Sequence, residues 1–251
     1  MFGFSKKNIQ KIFNRAGFRI IKLKKDSLVE EDEFFQEVYA QCKEYTMTSR
    51  ERAFALCQAT KYIVKAGIPG DFVECGVWRG GSAMIIASTL AKLQSQDRKI
   101  YLYDTFSGMT QPSEEDFDLF KKKKAEEKWQ KEQRAEHNQW DFASLEEVKK
   151  NMQLTEYPQE KLVFVKGKVE ETIPKTIPAE IALLRLDTDW HASTKHELEE
   201  LFPVLKKGGV LIVDDYGHWA GSKKAVDEYF SDKNIFLSRV DYAGIVGVKT
   251  E

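Results

Sequence analysis

Cysteine is scarce in this chain. Three occur in 251 residues, Cys42, Cys57 and Cys75. Their odd number, wide spacing and lack of any CxxC pair exclude a disulfide framework, argue against a zinc site and fit a reducing, cytoplasmic location. Long apolar runs are missing too. No stretch approaches the ~20 residues needed to span a membrane, and no apolar segment follows the first lysines as a cleaved signal peptide requires. Net charge is nearly nil, with 39 Lys and Arg against 40 Asp and Glu, so the surplus of positive charge expected of a nucleic-acid binder is absent. No internal repeat suggests a solenoid. What remains is a chain with 42% hydrophobic residues, which suits one α/β domain able to bury about 70–75% of its unfolded surface.

Residues 1–25 are the local exception to this balance. Lys6, Lys7, Lys11, Arg15, Arg19, Lys22, Lys24 and Lys25 stand there without an acid, interleaved with Phe13, Phe18, Ile20, Ile21 and Leu23. Residues 1–30 therefore read as a basic amphipathic arm ahead of a domain over 31–251. Such an arm either makes peripheral contact with a membrane surface or anionic partner, or packs on the domain or on a second subunit. A homo-oligomer is the expected assembly.

Helical spacing of apolar residues predicts helices over 30–43 and 49–66, the second capped by Ser49 and followed by the chain-breaking Pro69-Gly70. Beyond them strands and helices alternate. Strands are expected at 71–75, 99–103, 161–166, 181–186 and 209–213, and helices at 82–93, 144–153, 193–205 and 219–230. This alternation predicts a Rossmann-like, mostly parallel sheet with helices on both faces. The segments 235–240 and 242–248 are joined too closely for a parallel crossover, so the last strand is expected to be antiparallel. One insert, 113–136, interrupts the pattern. Its dense Glu and Lys predict an exposed helix laced with charge pairs, either a plain solvated face or a lid over the ligand crevice.

Two features carry chemistry. Glu74-Cys-Gly76-Val-Trp-Arg-Gly80-Gly81 joins the first strand to a helix, so backbone N–H groups lie open to a ligand. The spacing departs from the dinucleotide G-x-G-x-x-G. Glu74 can accept an ammonium group, and Asp104, ending the next strand, either accepts ribose hydroxyls or caps the following segment. Downstream, Asp187 and Asp189 end one strand, and Asp214 and Asp215 end the next. Four carboxylates converging at the sheet's C-terminal edge call for a hard divalent cation such as Mg²⁺, unless some of them cap helices. His191 and His218 flank these pairs as substrate-facing groups or as ordinary loop histidines. His137 and His196 look exposed.

In family order, the stretches 45–52, 70–82, 103–108, 184–189 and 208–217 resemble the macrocin O-methyltransferase (TylF-type) family. The resemblance implies a class I methyltransferase fold with a seven-stranded sheet. It also implies Mg²⁺-dependent transfer of methyl from S-adenosylmethionine (SAM) to a hydroxyl, often on a sugar, so the expected partner is a small-molecule or glycan acceptor. It further implies metal ligation by Asp187, Asp214 and Asp215, with Asp189 as general base. The SAM contacts it implies are Thr46, Met47, Glu74, Gly76, Ser82, Asp104 and Ser107. Thr188, His191 and the charged insert depart from antibiotic-pathway members, so the acceptor does not carry over. Two rival readings are a nicotinamide-dependent oxidoreductase, which leaves the four aspartates unexplained, and a non-catalytic SAM- or nucleotide-binding module, which would tolerate loss of Asp187 and Asp214.

Overall fold

The structure is a computed structural model and describes residues 13–15 and 27–251. Most of the basic arm therefore lies outside the described residues. Two helices, α1 (Ser27–Glu31) and α2 (Glu33–Cys42), replace the single helix expected over 30–43. Asp32 separates them, because its carboxylate accepts the Phe35 N–H at 2.9 Å and starts α2 afresh. Helix α3 (Arg50–Ala66) begins where Ser49 caps it, with the Ser49 hydroxyl accepting the Arg52 N–H at 3.1 Å.

The remaining elements follow the expected alternation. They are β1 (Asp71–Cys75), α4 (Gly81–Lys92), β2 (Ile100–Asp104), α5 (Ala125–Lys131), α6 (Leu145–Met152), β3 (Leu162–Lys166), α7 (Val169–Thr172), β4 (Ile181–Leu186), α8 (His191–Leu201), β5 (Leu205–Val213), α9 (Ala220–Tyr229), β6 (Phe236–Arg239) and β7 (Ile245–Val248). The strands form one seven-stranded sheet in the order β3-β2-β1-β4-β5-β7-β6. The first five are mutually parallel, and β7 runs antiparallel to both β5 and β6. This is the class I methyltransferase fold.

Strand alternation divides the core in two. Phe72, Leu183 and Ile212 pack with α2, α3 and α4 on one face. Val73, Cys75, Leu184, Leu186, Leu211 and Val213 pack with α8 and α9 on the other. Glu74 and Arg185 share the first face, and the β1–β4 register sets them side by side. An apolar residue would be expected at each position of a strand covered on both faces, so this buried charge pair is placed for something other than packing. All three cysteines are free and buried. Among the described residues, no helix is long and apolar enough to cross a membrane.

Candidate active site

The C-terminal edge of the parallel strands opens into a cavity of about 660 Å³, within the range of small-molecule sites. On one side it is walled by the turn from β1 into α4. Gly76 has φ +83°, and a Cβ there would stand 1.9 Å from the Asp187 carbonyl oxygen. Only glycine lets the turn lie against the end of β4. Gly81 lets the α4 N-terminus lie against the Tyr45 carbonyl and the Thr46 side chain, each 2.5 Å from where a Cβ would stand. The first residues of α4 thus face the cavity with N–H groups that the helix itself cannot satisfy.

Thr46, Met47, Glu74, Gly76, Ser82 and Asp104 all line this cavity. Ser107 does not. Its hydroxyl donates to the Thr105 carbonyl at 3.1 Å, and its carbonyl accepts the Asn138 N–H at 2.9 Å. Asp104 reaches the cavity but has another task. Its carboxylate accepts the N–H groups of Val77 (2.7 Å), Trp78 (3.0 Å) and Phe106 (2.6 Å), while the nearby Thr105 hydroxyl donates to the Gly108 carbonyl at 2.7 Å. Three donors leave one of a carboxylate's four acceptor positions open, so Asp104 braces the glycine turn while still facing the cavity.

On the opposite side, the register of β4 and β5 pairs Leu186 with Val213. The next residues, Asp187 and Asp214, therefore emerge side by side, and the Asp214 N–H donates to the Leu186 carbonyl at 2.9 Å. Asp187, Asp214 and Asp215 each present a ligand atom, all within 4.8 Å of one another. Asp189 completes the group on a tight turn, where the Trp190 N–H reaches back to the Thr188 carbonyl at 2.7 Å and Asp189 itself has φ +67°. That left-handed region is one that Asp and Asn enter more readily than other residues with a Cβ. None of the four carboxylates serves as a helix cap, since α8 begins after Trp190 and α9 after Trp219 without a side-chain cap.

Two arginines that the sequence reading passed over hold this cluster together. Arg185 is almost wholly buried and pairs with Glu74 (2.7 Å), Asp187 (2.8 Å) and Asp214 (2.8 Å). Arg52, from the first turn of α3, pairs with Asp214 and, at 2.9 Å, with Asp241. The available signal was an arginine inside the apolar run Leu183-Leu-Arg-Leu. Glu197 was missed as well. It is completely buried on α8 and accepts the Thr188 hydroxyl at 2.9 Å, fixing the residue between Asp187 and Asp189. Burial pushes its pKa well above the usual carboxylate range. Its place on the buried stripe Thr194, Glu197, Leu198, Leu201 was the clue.

Five acids, Glu74, Asp187, Asp189, Asp214 and Asp215, thus face two guanidinium groups. Burial, reinforced by neighbouring carboxylates, raises Asp189 and Asp215 well above their ordinary range. Burial likewise raises Asp187 to about 6 and Glu74 to about 8. The folded chain then holds protons that an unfolded chain releases near pH 4. Their stabilising contribution is complete below about pH 4 and is lost as pH rises through the folded-state values. In a chelator, the melting temperature is expected to fall between pH 5 and 8. Millimolar Mg²⁺ should flatten that slope, and calorimetric scans across the range would check both. A chelated protein whose Tm rises over this interval would contradict the assigned shifts.

The sequence matches the model of the family described as "Macrocin-O-methyltransferase (TylF)" over residues 10–247. The chain belongs to this family. It is 30% identical over 208 residues to the demethyldecarbamoylnovobiocin O-methyltransferase of Streptomyces niveus, covering 82% of this chain and 76% of that one. It is 30% identical over 203 residues to the 8-demethyl-8-(2,3-dimethoxy-alpha-L-rhamnosyl)-tetracenomycin-C 4'-O-methyltransferase of Streptomyces olivaceus, covering 80% and 74% respectively. The solved structure of the O-methyltransferase NovP superposes with a TM-score of 0.72 at 29% identity, covering 82% of this chain and 83% of that chain. The protein is accordingly a SAM-dependent O-methyltransferase.

Within this TylF-family chain, the 113–136 insert departs from the helix expected of it. Only α5 is helical there. Asp116 and Asp118 turn their carboxylates onto nearby N–H groups, an alternative to helix that aspartate readily offers. Asp116 accepts the N–H groups of Ser113 (2.7 Å) and His191 (2.8 Å), and Asp118 those of Phe120 and Lys121, both at 2.8 Å. The Ala220 N–H donates to the Phe117 carbonyl at 3.0 Å. The insert is thereby stapled to the starts of α8 and α9. Charge pairs are present within it, Lys121 with Asp118 at 3.4 Å, Lys124 with Glu114 at 3.9 Å and Arg134 with Glu132 at 3.4 Å, whereas Glu127 and Lys131, four apart on α5, form none among the described residues.

His191 points away from the cavity, between Glu115 (3.2 Å) and Glu228 (2.9 Å). His218 does line the cavity, and its ring packs against Phe120, Trp219 and Tyr242. Burial lowers its pKa. His137 and His196 are half-buried and lie outside the cavity.

Proposed function

We propose that this enzyme transfers the methyl group of SAM to a hydroxyl of a sugar or sugar-like small molecule, with Mg²⁺ held by Asp187, Asp214 and Asp215. The observation that carries the reading is the convergence of these three carboxylates, with Asp189, in the same cavity as the glycine turn. The donor set suits a hard cation. Three oxygens lie within reach of one centre, and Asp215 Oδ2 is buried without any hydrogen-bond partner. Burial and the neighbouring carboxylates raise the pKa of Asp187 and Asp215, a cost that a bound cation would relieve. Arg185 pairs with Asp187 and Asp214, Arg52 pairs with Asp214, and these contacts would orient the ligands.

The cation, when bound, lowers the pKa of an acceptor hydroxyl and steadies negative charge on its oxygen. SAM supplies methyl on a positively charged sulfur. The protein's residues do the rest. Glu74 Oε2 is buried and unpartnered, which suits the donor's ammonium group. The α4 N-terminus and Ser82 form the wall on which the donor's amino-acid end rests. Asp189 takes the acceptor hydroxyl proton at its carboxylate, and Glu197, through Thr188, keeps that carboxylate in place. The 113–136 segment covers the acceptor end of the cavity. One relative is named for a rhamnosyl-bearing acceptor, which supports a sugar hydroxyl here. The three free, buried cysteines fit a cytoplasmic setting.

The test is an assay with methyl-labelled SAM against a panel of glycosides, polyols and phenols, run in chelator and after divalent cations are restored. Cation-dependent label on a sugar hydroxyl is the expected result. Label confined to phenols would move the acceptor class, and undiminished turnover in chelator would remove the cation from the mechanism.

A further inference from the structure

We propose that the acceptor sugar carries a phosphate or diphosphate, and that lysines of the 121–131 segment hold that anion while the sugar hydroxyl reaches the carboxylate cluster. The inference rests on the methyltransferase reading of the cavity and goes beyond it in naming the charge of the substrate.

The cavity is electrically divided. The aspartate cluster lies at the strand ends, whereas Lys121, Lys123, Lys124, Lys128 and Lys131 line the cavity from the insert and outnumber the lining acids nearest them in the chain, Asp118, Glu127 and Asp141. These cations are poorly compensated. Lys121 lies 3.4 Å from Asp118 and Lys124 lies 3.9 Å from Glu114. Lys123, Lys128 and Lys131 form no ion pair within 4.0 Å among the described residues, and Lys128 has only the longer-range attraction of Asp141. Between residues 117 and 131 the chain places six lysines against three acids, although its net charge as a whole is −1.

The methyl donor does not account for this wall. SAM carries a sulfonium, an ammonium and one carboxylate, so its net charge is positive and a lysine cluster opposes it. A neutral glycoside gives the lysines nothing to bind. A phosphate or diphosphate does, because lysine ammonium groups act on it as point charges from several directions. One carboxylate is too little charge for five lysines.

The wall is also built to hold a shape. Trp140, Trp190 and Trp219 pack on one another with ring centroids 5.1 to 5.9 Å apart. Trp140 and Trp219 line the cavity, and Lys128 Nζ stands 3.9 Å from the Trp140 ring centre. The indole N–H groups of Trp129 and Trp190 are tied to the carbonyls of Met109 and Thr110 at 2.9 and 3.0 Å. An indole face beside an ammonium group offers an apolar platform for a pyranose ring next to a seat for its phosphate.

Binding is best measured by calorimetry on the full chain loaded with S-adenosylhomocysteine, in EDTA so that no cation bridges phosphate to the carboxylates. Inorganic pyrophosphate is expected to bind at least tenfold more tightly than methyl α-glucoside, with affinity falling as salt rises. The exposed double variant Lys123→Glu/Lys131→Glu should weaken pyrophosphate binding at least tenfold and leave S-adenosylhomocysteine binding intact. Uridine diphosphate binding more tightly than pyrophosphate would assign the anion to a nucleotide. Farnesyl diphosphate doing so would assign it to a lipid carrier, and either result upholds the proposal. Pyrophosphate binding that is absent, salt-independent or unchanged in the double variant overturns it, as does glucuronate binding as tightly as pyrophosphate. Failure of S-adenosylhomocysteine to bind would instead strike the methyltransferase reading. Pyrophosphate titrated alone still reports on the lysines.

Discussion

Asp189→Asn is expected to lower kcat by roughly 10²–10⁴-fold, the span that a positioned general base contributes, while SAM affinity stays within about twofold. The substitution is a clean one. Asp189 sits at φ +67°, and asparagine tolerates that conformation as aspartate does, so the tight turn between Thr188 and Trp190 persists. What disappears is a carboxylate able to take a proton beside the three converging aspartates. Alanine would add backbone strain and blur the comparison. Equilibrium binding of S-adenosylhomocysteine and single-turnover methyl transfer separate the two quantities. If Asp189→Asn chiefly weakened donor binding while single-turnover rates held, the carboxylate would belong to the SAM site and not to proton transfer.

Arg185→Met is expected to cost about 3–5 kcal/mol of folding stability near neutral pH, the usual penalty for removing one partner of a buried ion pair. Arg185 is nearly inaccessible and contacts Glu74, Asp187 and Asp214 at 2.7 to 2.8 Å. Buried carboxylates left without it can lower their energy only by taking up protons. The penalty should therefore shrink as pH falls toward 5 and grow as pH rises. Urea titrations at pH 5 and 8 would measure it. Arg185→Lys keeps a charge but lacks the planar fork that meets three carboxylates at once, so it should recover part of the loss. A penalty under 1 kcal/mol for Arg185→Met at pH 8 would mean that the acids around it are already neutral.

The order of elements was legible because each strand and helix carries its own period, and the antiparallel final strand followed from a connection too short to cross the sheet. The meeting of Asp187 with Asp214 was legible for a related reason. Asp187 and Asp214 each end an apolar strand, and parallel strands deliver their C-terminal ends to one edge. Less legible were residues whose meaning depends on what lies across a strand or helix. Arg185 read as one charge in a hydrophobic run until the β1–β4 register set it against Glu74. Asp104 read either as a ribose acceptor or as a cap for the next segment, and only the folded glycine turn shows three backbone N–H groups directed at it. The 113–136 charges predicted an exposed helix, whereas Asp116 and Asp118 turn to backbone N–H groups and five lysines of the segment line the cavity.

The sequence by itself determined the alternating strand–helix order, the glycine turn and the delivery of four aspartates to strand ends, because these depend on local periodicity and on single-residue backbone preferences. Tertiary structure decided which carboxylates are braced by arginine, which are left without a partner, and which way the insert's lysines face. Those outcomes depend on register and burial, which bring together charges more than a hundred residues apart and remove the water that would otherwise screen them.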